Sequence, residues 1–516
     1  MTDIVFVTPG NSKGIYQNLS KNYSAIETPT WSLLLAQSCR SQGYKVAILD
    51  CNAENLSYEG VLSRIKKLKP RIACFVVYGQ NVNAGTTSMS GATELSKYLK
   101  TKSKDLKIVY VGSHAQALPK ETLEKENSID FVLTNEGVYT LWNLLSLQNF
   151  NYESLEGIKG IAFRDNNNKI IINEAEKIVP NDRMDQDLPG YAWDLLPYKK
   201  KPFDLYRSPM WHAEYIENNR SPYAAIQTSL GCQFKCNFCM INIINRDDTK
   251  EIGIANTYSK MRYWSPDFII KEFDKLFKYG VKTIKIVDEM FLLNPKYYLP
   301  LCKYLSERNL NDDLKMWAYS RIDTVKRQDV LELVRKAGIK WLCLGIESGN
   351  KNVRLEVAKG KFEDVDVDRV IEQIHKSDIE VMGNYIFGLP GDTLDTMKQT
   401  YELSERLCTS GWNAYAAMAL PGSQLYYEAK KSGIALPETY EGYSFHSYHT
   451  LPLPTEKLKA EQILEFRDNA FYKYHTNKKF LDRIKNKFGD LAVKNINEMT
   501  KIKLKRKILE KSTSSN

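Results

Sequence analysis

Twice along this chain of 516 residues, short apolar runs alternate with helix-length segments, and that alternation is the strongest constraint on what it can fold into. In the first 150 residues the Val/Ile-rich runs fall at 4–8, 45–50, 72–77, 107–111 and 131–134. Helix-length stretches occupy 30–42, 57–68, 90–100 and 138–147, and Gly43 and Pro70 supply stop signals behind the first two. The pattern predicts an α/β fold that begins with a doubly wound, Rossmann-like parallel sheet over residues 1–150. Ligands then gather beyond the carboxyl ends of the strands, at loops 9–16, 50–56, 78–85, 112–119 and 135–137. Residues 151–223 read as a hairpin around Asp165-Asn-Asn-Asn168 and a linker rich in proline and aromatics. From Ala224 the alternation resumes, with strands at 225–229, 283–288, 315–319, 341–345, 381–387 and 414–420. Helices are expected between them at 266–279, 296–308, 329–337, 366–377 and 393–409. Six βα units in about 200 residues fit a partial (β/α)6 barrel over 224–432, because a full eightfold barrel takes about 250. Residues 433–516 read as mostly helical.

Hydrophobic residues at 43% and charged residues at 26% match a globular chain. No apolar run approaches the ~18 residues of a membrane helix. The opening Met-Thr-Asp-Ile-Val reads as the approach to a strand and not as a leader, so a soluble, cytoplasmic protein is expected. The net charge is +10, and 13 Lys and Arg against 4 Asp and Glu lie between Phe471 and Asn516. A nucleic-acid binder carries its basic stripe on the folded body. Nucleic acid is therefore not an expected partner, and the tail reads as a solvated helix over 501–511 with a frayed end.

Nine cysteines are an odd number, which argues against a disulfide framework. Cys39, Cys51, Cys74, Cys302, Cys343 and Cys408 stand alone, mostly in apolar segments, and read as core residues. The other three crowd directly after the first strand of the second alternation: Ser229-Leu-Gly-Cys232-Gln-Phe-Lys-Cys236-Asn-Phe-Cys239. Thiolates at this spacing suit zinc, copper(I) or iron–sulfur. A closed zinc site wants a fourth ligand close by, yet the nearest histidine is His212 and no cysteine follows until Cys302. Three ligands at the end of a barrel strand point to an open, reactive metal centre.

The triplet Cys232-x3-Cys236-x2-Cys239, with Phe238 before the last cysteine, resembles the signature of radical S-adenosylmethionine (SAM) enzymes. Downstream stand Ile286-Val-Asp288-Glu289, Trp317-Ala-Tyr-Ser320-Arg321-Ile-Asp323, Leu344-Gly345-Ile-Glu347-Ser-Gly349, Gly383-Asn384-Tyr-Ile-Phe-Gly388-Leu-Pro390-Gly391 and Leu420-Pro-Gly-Ser423. These look like the successive strand-end motifs of that family, over residues 224–432. The resemblance implies a [4Fe–4S] cluster on Cys232, Cys236 and Cys239, with SAM chelating the iron they leave free. It also implies Asp288 near the SAM amino group, Arg321 as a fork for the SAM carboxylate, Glu347 at the ribose hydroxyls and Phe238 beside the adenine. No catalytic residue beyond the cluster is implied.

The first 150 residues lack the G-x-G-x-x-G dinucleotide fingerprint. They resemble instead the cobalamin-binding module found ahead of many radical SAM barrels. The resemblance rests on Thr28-Pro29, Gly43-Tyr-Lys-Val46, Leu49-Asp50, Val111-Gly112-Ser113-His114-Ala115 and Asn135-Glu136-Gly137. It implies corrinoid contacts at Gly10, Asn11, Ser12, Gly112, Ser113, His114, Glu136 and Gly137. The Asp-x-His-x-x-Gly motif of many cobalamin proteins is missing after the first strand.

Together the two resemblances imply a cobalamin-dependent radical SAM enzyme that methylates an unactivated carbon of a small-molecule substrate, fed by an electron donor such as flavodoxin or ferredoxin. The alternatives are an oxidative cyclase similar to the anaerobic magnesium-porphyrin cyclases, a radical SAM enzyme without cobalamin and, from another class, a nucleic-acid-binding protein with a zinc cluster. Substrate contacts are expected from Asn384, Tyr385 and the Tyr- and His-rich stretch 440–454, which reads equally as a packed aromatic cap.

Overall fold

In the computed structural model, which describes residues 2–10, 12–79, 81–201, 205–208, 220–248, 259–325, 327–357 and 365–513, both alternations become sheets. Strands β1 (Ile4–Thr8), β2 (Val46–Asp50), β3 (Ile72–Val76), β4 (Lys107–Val111) and β5 (Phe131–Leu133) are parallel, in the order β2-β1-β3-β4-β5. The hairpin β6 (Ile161–Arg164) and β7 (Ile170–Ile172) continues the same sheet beyond β5, antiparallel.

The side-chain alternation of β1 explains why helices cover both faces. Ile4 and Phe6 join one core with Leu33–Ala36 and Leu141, while Val5 and Val7 join another with Val61, Ile65, Leu95 and Leu99. Helix Tyr58–Leu68 starts at the Ser57 cap, and Lys69 ends it in the left-handed region immediately before Pro70.

The second sheet has six parallel strands. They are β8 (Tyr223–Ile226), then, after the short antiparallel pair β9 (Ser229–Gly231) and β10 (Met261–Tyr263), β11 (Thr283–Ile286), β12 (Lys315–Arg321), β13 (Ile339–Glu347), β14 (Glu380–Phe387) and β15 (Gly411–Ala416). Their order runs β15-β14-β13-β12-β11-β8, a partial barrel with two edges. The β8 edge is met by side chains: the Thr28 hydroxyl bonds Ala225 N and O at 2.9 and 2.8 Å, and the Tyr191 hydroxyl bonds Gln227 N and O at 3.0 and 2.6 Å. At the β15 edge, helix Ala460–His475 lays Tyr474 flat on Trp412, and Arg467 donates to Ala414 O at 2.8 Å.

Three expectations change. The strand expected at 225–229 breaks after Ile226 and restarts as β9. The strand expected at 414–420 is β15, shifted upstream because Trp412 and Asn413 pair with Gly383 and Asn384; residues 417–420 leave the sheet and stay buried. The tail is not a solvated helix over 501–511. Residues 502–506 run outside any helix, and Arg506, 3% exposed, donates to Ser447 O, Thr450 Oγ1 and the Asp468 carboxylate. That network overrides the helical preference of a lysine-rich segment. Among the described residues no helix is long and apolar enough to cross a membrane.

Candidate functional site

The cysteine loop leaves β9 through Gly231, whose φ of +91° and close neighbours (a Cβ would lie 2.4 Å from Lys260 O) admit only glycine. Asp288 fixes the strand break that sets the loop's start. Its carboxylate accepts Thr228 N, Thr228 Oγ1 and Ser229 Oγ at 2.5–2.6 Å, and it is 1% exposed. The side chain expected near the SAM amino group is therefore committed to holding the loop. Its neighbour Glu289 is the half-buried carboxylate beside the cysteines.

Cys232 is buried, Cys236 and Cys239 are partly exposed, and none forms a disulfide. Cys239 Sγ receives Ile241 N at 3.4 Å and Asn83 Nδ2 at 3.6 Å. Burial pushes the Cys232 and Cys239 thiols up to about 12. A bound cation favours their thiolate form. Among the described residues no three His, Cys, Asp or Glu side chains close on a single ion. Mutually close thiols that do not converge on one ion fit the separate corners of a polynuclear cluster.

The strand ends around this loop form a chamber. Tyr319, Gly345, Glu347, Asn384, Asn413 and Tyr415 keep partial exposure inside the sheet's curl. Glu347 sits at a β-bulge with φ +65°, and its carboxylate lies where a side chain on Gly345 would be, 2.5 Å from the position of a Cβ there. Burial raises Glu347 to about 7 against the opposing pull of Arg321; burial, helped by Asp288, raises Glu289 to about 7. Both carboxyl groups act on Cys239.

Arg321 does not present a free fork. Its guanidinium takes both carboxylate oxygens of Asp323 and stacks 3.6 Å from the Phe234 ring centroid. Phe238 packs with Val353, Val357, Ile386, Leu389 and Ala417. Asn384 lies on the inner face, its amide bonded to Cys343 Sγ and Leu344 O, whereas Tyr385 points outward, fully buried beside Trp412. Alternation along β14 sends neighbours to opposite faces, which removes Tyr385 from the pocket. The stretch 440–454 is a cap: Phe445 packs on Tyr415, and His446, held near 3 by burial, lies 5.3 Å from Tyr16. His212 lies outside the described residues.

The first sheet carries its own crevice, about 1000 Å³ counting the open solvent at its mouth. It lies over β1 and β3, where the strand order reverses, and it is lined by Thr8, Asp50, Tyr78 and the hydroxyls of Thr30, Ser32, Thr87 and Ser88. Most expected corrinoid contacts lie elsewhere. Gly10 packs on Asn52, Asn11 is outside the described residues, and Ser12 opens helix Ser12–Tyr16. Gly112 abuts Val77, and Ser113 Oγ donates to Val82 O at 2.6 Å. His114 is bonded to Thr86 and covered edge-on by Tyr440. Glu136 forms a buried ion pair with Arg262 of β10 and accepts Val179 N, while Gly137 N donates to Asn135 Oδ1. The loops after β4 and β5 dock on the barrel, where Gln116 O accepts from Arg246 and Glu136 pairs with Arg262. The crevice-lining hydroxyls had a signal in the sequence, as the small polar residues flanking the first and third strands.

The Radical SAM superfamily model matches residues 226–404, and the B12 binding domain model matches residues 20–145. An uncharacterized methyltransferase of Pyrococcus horikoshii is 25% identical over 457 residues, covering 88% of this chain and 89% of its own. The anaerobic magnesium-protoporphyrin IX monomethyl ester cyclase of Cereibacter sphaeroides is 24% identical, covering 92% and 70%. Among solved structures, the radical SAM methyltransferase TsrM from Kitasatospora setae, with cobalamin and a [4Fe–4S] cluster bound, aligns at a TM-score of 0.59. It is 15% identical and covers 84% of this chain and 78% of its own. A corrinoid module docked on a radical SAM barrel defines the class, an enzyme whose hard chemistry is carried by cofactors. The chain belongs to the cobalamin-dependent radical SAM enzymes, and its cofactors are SAM, a [4Fe–4S] cluster and cobalamin.

Proposed function

We propose that this enzyme methylates an unactivated carbon of a small molecule held between the corrinoid module and the barrel mouth. The observation that carries the reading is continuity between the two sites. The crevice over β1 and β3 is walled by Val287, two residues before Glu289, which faces the cysteines. When bound, the cofactors supply reductive cleavage of SAM and carriage of a methyl group. The chain's own residues hold and seal them. Cys232, Cys236 and Cys239 ligate iron, Glu289 and Glu347 balance the cationic SAM, and Phe238 flanks its adenine. Arg321 stiffens the cluster loop through Phe234, and the crevice hydroxyls bond the corrinoid's amide side chains. The 440–454 cap excludes water. A one-electron donor of the flavodoxin or ferredoxin class reduces the cluster.

A second reading, oxidative ring closure, is favoured by the similarity to the Cereibacter sphaeroides cyclase. Product analysis separates the two. Protein reconstituted without oxygen, supplied with hydroxocobalamin, titanium(III), SAM and a small-molecule extract, forms S-adenosylhomocysteine and 5′-deoxyadenosine in comparable amounts if it methylates. 5′-Deoxyadenosine without S-adenosylhomocysteine would sink the methyltransferase reading.

A further inference from the structure

One contact crosses from the corrinoid module to the cluster loop. The turn Val82–Ala84 lies in the connection between β3 and helix Gly85–Lys102, and Ala84 of that turn with Thr87 and Ser88 of the helix's first turn line the corrinoid crevice. The turn is pinned from below, where Ser113 Oγ donates to Val82 O at 2.6 Å and Thr87 Oγ1 to Ala84 O at 2.8 Å. Asn83 is thereby held against the barrel. Its Oδ1 accepts Met240 N at 3.1 Å and lies 3.8 Å from Cys239 Sγ, while its Nδ2 amide lies nearer that sulfur, at 3.6 Å. With the oxygen engaged by a backbone N–H the amide cannot flip, and a thiolate, which only accepts, can bond only the Nδ2 donor.

We propose that Asn83 is a positioning residue that sets the reduction potential of the cluster by donating an N–H···S hydrogen bond to the thiolate of Cys239. The inference rests on the functional reading above, in which Cys239 ligates iron. Reduction adds an electron to the cluster and makes its sulfurs more negative. A donor aimed at one sulfur stabilises the reduced form more than the oxidised form and so raises the potential. Asn83 belongs to the module that holds the corrinoid, so the two cofactor sites are joined by one side chain. The Ile241 N–H makes a second such bond at 3.4 Å from within the loop itself.

The test is an EPR-monitored redox titration of the reconstituted protein carrying Asn83→Leu, which removes the donor, and Asn83→Asp, which keeps the shape and puts a negative charge beside the sulfur. Iron and sulfide content fixes cluster loading in each. The expected result is a more negative midpoint in both variants, larger in Asn83→Asp. At a fixed potential the ratio of reduced to oxidised cluster falls by about tenfold, which for one electron is about 59 mV. A midpoint in Asn83→Leu equal to that of the unaltered protein would overturn the proposal, whatever the charge in Asn83→Asp does. If Asn83→Leu does not hold its cluster, the smaller Asn83→Ala, which removes the donor without adding bulk or charge, decides in its place. An unaltered protein that assembles no [4Fe–4S] cluster would instead overturn the functional reading.

Discussion

The two proposed cofactor sites of this enzyme are built in opposite ways. At the barrel mouth, chemistry is carried by side chains that few other residue types could replace: three thiols on one loop, and two carboxyl groups raised toward neutrality by burial. Over the first sheet, the crevice is a gap in the topology lined by small hydroxyls and backbone, with Asp50 and Glu27 as its acids. The first kind of site is specified by residue identity and the second by shape. A change of one atom is therefore expected to matter far more at the mouth than in the crevice.

Four measurements would break or sharpen that contrast. The largest effect is expected from Cys232→Ala, which should lose cluster iron and all SAM cleavage while retaining hydroxocobalamin through desalting. Cleavage above background would remove Cys232 from the cluster. Next, Glu136→Gln should leave Arg262 charged and buried without its partner and lower the unfolding free energy by about 3–5 kcal/mol in a denaturant titration. If instead stability holds and hydroxocobalamin affinity falls, Glu136 belongs to the corrinoid site after all.

The third measurement is a pH profile. Glu289 and Glu347 are raised from 4.5 to about 7 chiefly by burial. Between those values the folded protein keeps protons that the unfolded chain has released, so ligand-free stability falls as pH rises from about 4.5 to 7. Cationic SAM prefers the ionised carboxylates, so its affinity should rise from pH 6 to 8, and Glu347→Gln should flatten part of the rise. A flat profile in the unaltered protein would take both carboxylates out of the SAM site. The smallest effect is expected from Ser88→Ala, which removes one hydroxyl from the crevice. A single lost hydrogen bond, about 0.5–1.5 kcal/mol, weakens hydroxocobalamin binding by tenfold at most, whereas His114→Gln leaves it unchanged. The reverse ranking would restore His114 as a contact.

The same contrast explains what was legible in the sequence. Both sheets were, because hydrophobic runs of strand length separated by capped helices admit few other folds. The cluster loop was, because three cysteines at a fixed spacing state their chemistry. Gly112, His114, Glu136 and Gly137 do not line the crevice, because a motif in a βα turn reports the turn's backbone and not what lies above it; beside these turns the barrel docks. Asp288 and Glu289 are neighbours, and only the break between β8 and β9 decides which one is consumed by the backbone. Arg506 was hidden in a run of lysines, and its role comes from Asp468, which lies 38 residues earlier.

The β8 edge carries a consequence for how such chains can be divided. The hydroxyls that meet this strand come from Thr28, in the first module, and Tyr191, in the linker. A barrel produced from residue 220 onward would expose an unpaired parallel strand as a template for other chains, and such edges drive aggregation. The module ahead of the barrel thus protects it as well as bringing a cofactor. Exchanging that module between relatives requires moving the hydroxyl donors and the strand they cover as one piece.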